Sequence, residues 1–213
     1  MPQENTHDLS PYWSIRLALG SPIRRFLRKD QEQVKLDMPV LETARLVLRP
    51  IVPSDLNDVS AWIPGDPDGA AKAQNLIDFC AAEYCVRGIG PWGMQLRATR
   101  KLLGNCGLPH LDVRKRWGEV NYFVAPQARG QGLAPEATIE LLRFGFRDLG
   151  LTRIQARCDP ENWSSERVMQ KMGMTFESLV DRRPPVKGAS AKQKVYTILR
   201  ETTNTAPDGS TPT

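Results

Sequence analysis

The chain has 213 residues, 40% of them hydrophobic, and a formal net charge of +5, which suits one domain with tails and a core of ordinary size. Its acids and bases are interspersed, its two histidines are scattered, and its four cysteines form no Cys-x-x-Cys pair, so neither nucleic-acid binding as a main function nor a metal site is expected. No apolar run approaches the roughly 20 residues that span a bilayer and no signal segment is visible, so a cytoplasmic protein without a membrane span is expected.

In chain order, residues 1–39 form an extension with one short helix signal: Ser21 as cap, Pro22 at the first position, then Ile23, Phe26, Leu27 and Val34 toward one side. Arg24, Arg25, Arg28 and Lys29 make the other side basic. An arm docked on the body, or a contact within a homodimer, is the plain reading; an anionic membrane surface or nucleic acid is its rival. Residues 40–201 carry the folded domain, and 202–213 lack any large apolar residue and are expected to be disordered.

Alternation of apolar and polar residues predicts a first strand over Thr43–Val52, and Pro53-Ser54-Asp55 starts a helix over Leu56–Ile63. A second helix is predicted from Gly69 to Arg87. Strands follow at Trp92–Thr99, Leu102–Asp112 and Gly118–Val124, joined by short turns as an antiparallel meander. A helix from Gly132 to Leu149 shows Ile139, Leu142, Phe146 and Leu149 at helical spacing. Strand Arg153–Asp159, helix Asn162–Met172 and strands at Thr175–Val180 and Lys194–Arg200 complete a mixed α/β pattern that is not doubly wound.

Two glycine-rich stretches compete for a phosphate-binding role. Gly88-Ile89-Gly90-Pro91-Trp92-Gly93 satisfies G-x-G-x-x-G, but it follows a helix and enters a strand, the reverse of the dinucleotide-binding context, and Pro91 has no N–H to offer. It reads as a helix stop and turn, with Trp92 left to line whatever acceptor cavity the sheet opens. Gln127-Ala128-Arg129-Gly130-Gln131-Gly132-Leu133-Ala134 instead lies between a strand and a helix start. There the first N–H groups of a helix are unpaired and its dipole favours an anion. The backbone of Arg129, Gly130, Gln131, Gly132, Leu133 and Ala134 is the expected cofactor cradle.

This loop has the form Q/R-x-x-G-x-G/A and resembles that of the GNAT superfamily of acyl-CoA N-acyltransferases. Four ordered blocks extend the resemblance over roughly residues 40 to 201, toward the branch of ribosomal-protein-alanine N-acetyltransferases: Gly118 to Pro126, Ala134-Pro135-Glu136-Ala137, Asn162-Trp163-Ser164-Ser165 leading to Lys171-Met172-Gly173-Met174, and Val186-Lys187-Gly188 followed by Lys194 to Leu199. The resemblance implies a mainly antiparallel sheet with a central, splayed parallel strand pair and flanking helices, with acetyl-CoA as co-substrate. It also implies backbone contacts from Phe123 and Val124 to the pantetheine arm, and an arm contact from Asn162, which by position would equally cap its helix.

For chemistry the resemblance implies Glu119 as general base, since an acceptor amine is mostly protonated at neutral pH; the plain alternative is a solvated strand-end carboxylate. The tyrosine many members place seven residues after the asparagine is here Met169, which cannot donate a proton. A serine three residues after the asparagine is common in the resembled branch, which implies Ser165 as hydrogen-bond partner of the leaving sulfur, a plain helix-surface serine being the alternative. The expected reaction is acetyl transfer to a primary amine on a protein N-terminus, a peptide or a small molecule. Rival readings are an acyl-CoA sensor without catalysis and an anionic-surface binder acting through residues 1–39.

Overall fold

The computed structural model describes residues 38–185 and 189–200. The basic helix signal at Ser21 to Val34, the block Val186 to Gly188 and the tail from Thr202 lie outside the described residues. The elements run β1 (Leu41–Glu42), β2 (Leu46–Pro50), α1 (Leu56–Ser60), α2 (Gly69–Arg87), β3 (Trp92–Leu96), β4 (Leu102–Asp112), β5 (Trp117–Val124), α3 (Leu133–Arg147), β6 (Arg153–Cys158), α4 (Trp163–Lys171), β7 (Thr175–Asp181) and β8 (Lys192–Leu199). They form one eight-stranded sheet in the order β1-β2-β3-β4-β5-β6-β8-β7. Every neighbouring pair is antiparallel except β5 and β6.

The strand expected over Thr43–Val52 is shorter, β2 at Leu46–Pro50, and Thr43 to Arg45 are instead the turn of a hairpin with β1. The chain reverses after Glu42, where Thr43 N donates to the Leu46 carbonyl and Leu46 N returns a bond to Thr43 Oγ1, both at 2.9 Å. The helix expected to reach Ile63 stops at Ser60 after a 3-10 turn at Pro53–Asp55, where Asp55 accepts from Val52 N and pairs with both terminal nitrogens of Arg49. The strand expected to run to Thr99 ends at Leu96, and Arg100 takes a left-handed φ of 60° in the turn that follows.

Two cores sandwich the sheet. One face carries Leu46, Leu48, Trp92, Met94, Val120, Ile154 and Ala156 against α3 and α4; the other carries Ile51, Leu102 and Phe123 against α1 and α2. Burying each large aliphatic side chain contributes about 1.5–3 kcal/mol. Helix α3 buries Leu133, Ala137, Leu141, Leu142 and Phe144 against the sheet, with Phe146 and Leu149 packed partly buried on the same core, and of the residues at helical spacing only Ile139 faces away, 37% exposed. Small residues decide this, because a Cβ on Gly145 would stand 2.8 Å from Ile154 Cδ1, so the helix seats closely only with that glycine inward.

The parallel pair is short. Trp117, Gly118 and Glu119 pair with Arg153, Ile154 and Gln155, and no rung follows although both strands continue. On the other side of β5, β4 carries one extra residue at the same level, since Gly107 faces Asn121 and His110 faces Glu119. A bulge bends and twists the strands around it, and Pro109, which has no N–H for the ladder, sits in it. The guanidinium of Arg87, in the last turn of α2, donates to the Leu108 and Pro109 carbonyls at 3.2 Å and holds the bulge in place. The bulge is our physical account of why β5 leaves β6 beyond Glu119.

Candidate active site

Where the strands part, a cavity of about 330 Å³ opens between β5, β6, the loop before α3 and the start of α4. Val120 to Val124 form one wall and Ala156 to Cys158 the other. Backbone there runs along the gap without closing a β5–β6 ladder, leaving room for an extended chain to lie between the strands.

The loop begins as a 3-10 turn at Pro126–Ala128 and enters α3 through Gly130 and Gly132, both at φ 75°. L side chains avoid that left-handed region at a cost of about 1–2 kcal/mol. A Cβ on Gly130 would meet nothing within 4 Å and one on Gly132 only Arg45 Nη2 at 3.6 Å, so it is backbone conformation and not crowding that favours glycine here, and the space beside it stays open. Leu133 and Ala134 bury their side chains, Pro135 carries no donor, and the first amides of α3 stand at the cavity with the positive end of its dipole.

A latch behind the loop fixes this conformation. Glu136 accepts from Thr43 Oγ1 at 2.5 Å, from Arg45 N at 2.9 Å and from Arg45 Nε at 2.6 Å, while Arg45 Nη1 donates to the Gln131 carbonyl at 2.9 Å. Burial alone would raise the Glu136 carboxyl; the bonds from Thr43 and Arg45 outweigh it and hold the group below the usual carboxylate range.

Of the residues singled out in the sequence, Glu119, Phe123, Val124, Arg129, Gly130, Gly132, Leu133, Ala134, Asn162 and Ser165 all line the cavity. Gln131 does not: its carbonyl is taken by Arg45, and its side chain reaches back to Gln127 O. Trp92 is a correction. It is 0% exposed, packs edge-on against Phe144 at 5.7 Å between centroids, donates Nε1–H to the Pro39 carbonyl, and has no face on the cavity. Strand register puts its indole under α3, in the core.

The plain reading of Glu119 as a solvated strand-end carboxylate is also overturned. It is the third residue of β5, 2% exposed, accepts from Gln155 Nε2 at 2.9 Å, and its Oε2 lies 3.2 Å from Arg157 Nε. It stands at the fork, on the last rung before the strands part. Asn162 caps α4: its Oδ1 accepts from Ser165 N at 3.0 Å and Ser164 Oγ at 2.8 Å, which leaves its amide nitrogen outside the cap.

Several lining residues escaped the sequence reading. Tyr122 donates its hydroxyl to the Ser165 carbonyl at 3.1 Å and so ties β5 to the first turn of α4 across the cavity. Arg157, Asp159 and Arg182, with the neutral Gln193, form a polar wall, with Arg182 paired to Asp159 and donating Nε–H to Ser190 O at 2.8 Å. Period-2 alternation in β6 puts Gln155 and Arg157 on one face, a signal that was present in the sequence, and Asp159 follows just past the strand's end. Arg167 and Lys171 of α4 stand exposed at the rim with Arg129, adding cations on the side of the loop. Cys158 also lines the cavity, but burial pushes its thiol up to about 11, so it is a poor nucleophile at neutral pH. No helix among the described residues is long and apolar enough to cross a membrane.

Comparison with known proteins agrees with this geometry. The Acetyltransferase (GNAT) domain family matches residues 45–175. The uncharacterised N-acetyltransferase YoaA of Bacillus subtilis (strain 168) is 30% identical over 172 residues, 76% of this chain and 97% of its own. Among solved structures, Mycobacterium smegmatis RimJ in complex with CoA-disulfide superposes with a TM-score of 0.63 at 22% identity, over 76% of this chain and 87% of that one. The microcin C7 self-immunity acetyltransferase MccE, solved with acetyl-CoA and AMP, gives 0.63 at 15% identity, over 74% and 93%. The two structural likenesses are of fold.

Proposed function

Since the chain belongs to the GNAT acetyltransferase family, we propose that its cleft transfers acetyl from acetyl-CoA to a primary amine by direct attack on the thioester. N-acetyltransferase activity and dependence on acetyl-CoA come with the family; the roles of individual residues are our reading. The observation that carries it is the fork itself: the β5–β6 ladder stops at Glu119 and Gln155, and the cavity begins there with a buried carboxylate on its wall.

The site suits the co-substrate in three parts. Amides at the start of α3, reached past the open left-handed glycines, suit a pyrophosphate. The parted strands, through Phe123 and Val124, suit an amide-bearing arm, with the uncapped nitrogen of Asn162 available beside it. Bound there, acetyl-CoA supplies an activated acetyl group.

An ammonium acceptor gives one proton to Glu119, directly or through a water, and the neutral amine attacks the carbonyl carbon. The C–N bond forms as the C–S bond breaks. Of the three ammonium hydrogens one stays on the new amide, one goes to solvent through Glu119, and one balances the sulfur, whose charge a hydrogen bond from Ser165, on the cavity lining, would stabilise. Cys158 is raised too far to carry the acetyl group itself, which favours direct attack over a covalent enzyme intermediate.

Free-thiol release from acetyl-CoA, measured over a panel of primary amines and N-terminal peptides, tests this reading. Glu119→Gln should lower turnover about 10²- to 10⁴-fold while acetyl-CoA affinity by calorimetry stays nearly constant. Turnover equal to wild type at every pH would remove Glu119 from the mechanism.

A further inference from the structure

The acceptor side of the cavity has a pattern the transfer reaction does not require. Glu119 and Arg157 stand side by side in its wall, with Oε2 and Nε 3.2 Å apart. Resting on the reading of this cleft as an acetyltransferase site, we propose that the preferred acceptor is an amine carrying a carboxylate on the same carbon or the next, and that Arg157 is the residue that selects it.

Two arginines line this wall, and they differ in what they are committed to. Arg182 is 3% exposed in its side chain, paired with Asp159 and bonded to the Ser190 carbonyl; it holds the wall together. Arg157 lies on β6 beyond the last β5–β6 rung, keeps 30% of its side chain exposed, and lines the cavity. Its Nε is shut off from solvent and makes no directed hydrogen bond to any described residue, so its tie to Glu119 is one of charge without alignment. A guanidinium held this way keeps its planar fork of donors for a carboxylate entering the cavity.

The electrostatics point the same way. A simple alkylammonium that approaches Glu119 must do so against the neighbouring guanidinium, and once bound leaves an excess positive charge in a half-buried wall. An acceptor that brings its own carboxylate matches the wall group for group: ammonium on Glu119, carboxylate on Arg157. The neighbouring Asp159–Arg182 pair is already neutral and alters neither term. A free amino acid supplies this chemistry, and so does a peptide that begins with aspartate.

Thiol release measured on matched pairs separates these cases: a free amino acid against its amide, and a peptide beginning with Asp against the same peptide beginning with Asn. Wild type should favour the acid in at least one pair by about 10- to 100-fold in kcat/KM, the range of a charged hydrogen bond. The pair that shows the preference identifies the source. In Arg157→Gln the ratio should fall toward one, and Arg157→Lys should restore part of it. Calorimetry with acetyl-CoA shows whether each variant keeps a folded, cofactor-competent site. Equal use of acid and amide in both pairs, or an acid preference that survives Arg157→Gln, overturns the proposal. Turnover confined to amines without a carboxylate overturns it and leaves the acetyltransferase reading standing. Absence of acetyl-CoA binding to wild type would instead sink that reading.

Discussion

The chain contains two glycine-rich turns, Gly88 to Gly93 and Gly130 to Gly132, whose glycines serve different needs. In the first, Gly88 ends α2 in a left-handed cap, and the other two glycines make room. A Cβ on Gly90 would stand 2.5 Å from Tyr84 Cε1, and one on Gly93 2.7 Å from Leu102 Cδ1. In the second turn nothing presses on Gly130, and only the tip of an arginine comes near Gly132; both glycines are there for their φ. A turn whose glycines are crowded is packing against its own protein. One whose glycines are left-handed and uncrowded keeps its backbone donors open to something else, and this separates the binding loop from the decoy where the letters do not.

Substitutions should therefore separate the two turns. Gly132→Glu places a carboxylate at the start of α3 and should weaken acetyl-CoA binding about 100-fold or more by calorimetry, while left-handed strain costs the fold only about 1–2 kcal/mol. Unchanged affinity would show that the open turn is not the phosphate site. Gly90→Ala should do the reverse. Tyr84 cannot swing aside without losing the bond from its hydroxyl to the Pro91 carbonyl and the one it accepts from Ile51 N. We expect a loss of about 2 kcal/mol in stability by thermal or urea denaturation, with acetyl-CoA affinity retained. Should affinity fall as far as stability, the two turns are coupled and the contrast fails.

How far the sequence revealed these features follows from the range of the forces involved. Helix α2 and strand β4 were legible to the residue, because periodicity and the terminal glycine act locally. The hairpin at Thr43 was not: Thr43-Ala44-Arg45 contains neither Gly nor Pro, and what turns the chain is a side chain, Thr43 bonded to Leu46. The parting of β5 from β6 depends on a bulge pinned by Arg87, some twenty residues earlier; Pro109 inside a predicted strand was its one local sign. Trp92 was placed on the wrong face because a strand's alternation fixes two faces but not which one lies under α3. The environment of Glu119 comes from Gln155 and Arg157, side chains on a strand reached only through a crossover helix, and no local pattern announces that meeting.

The smallest effect probes what holds the open turn open. Glu136 joins the β1–β2 hairpin to the first turn of α3, and the same Arg45 that it grips clamps the Gln131 carbonyl next to Gly132. Its bonds hold the folded-state carboxyl below the unfolded value of about 4.3, so it contributes stability that is fully present above that pH and is lost as pH falls through the folded value. Arg45 is 47% exposed in its side chain, and solvent screening limits the pair's contribution. Glu136→Gln should therefore cost about 1 kcal/mol near neutral pH, the difference from wild type shrinking as pH drops below about 4. A parallel loss of acetyl-CoA affinity at neutral pH would mean that the latch sets the loop conformation. A stability loss with affinity intact would mean that the left-handed glycines hold it alone.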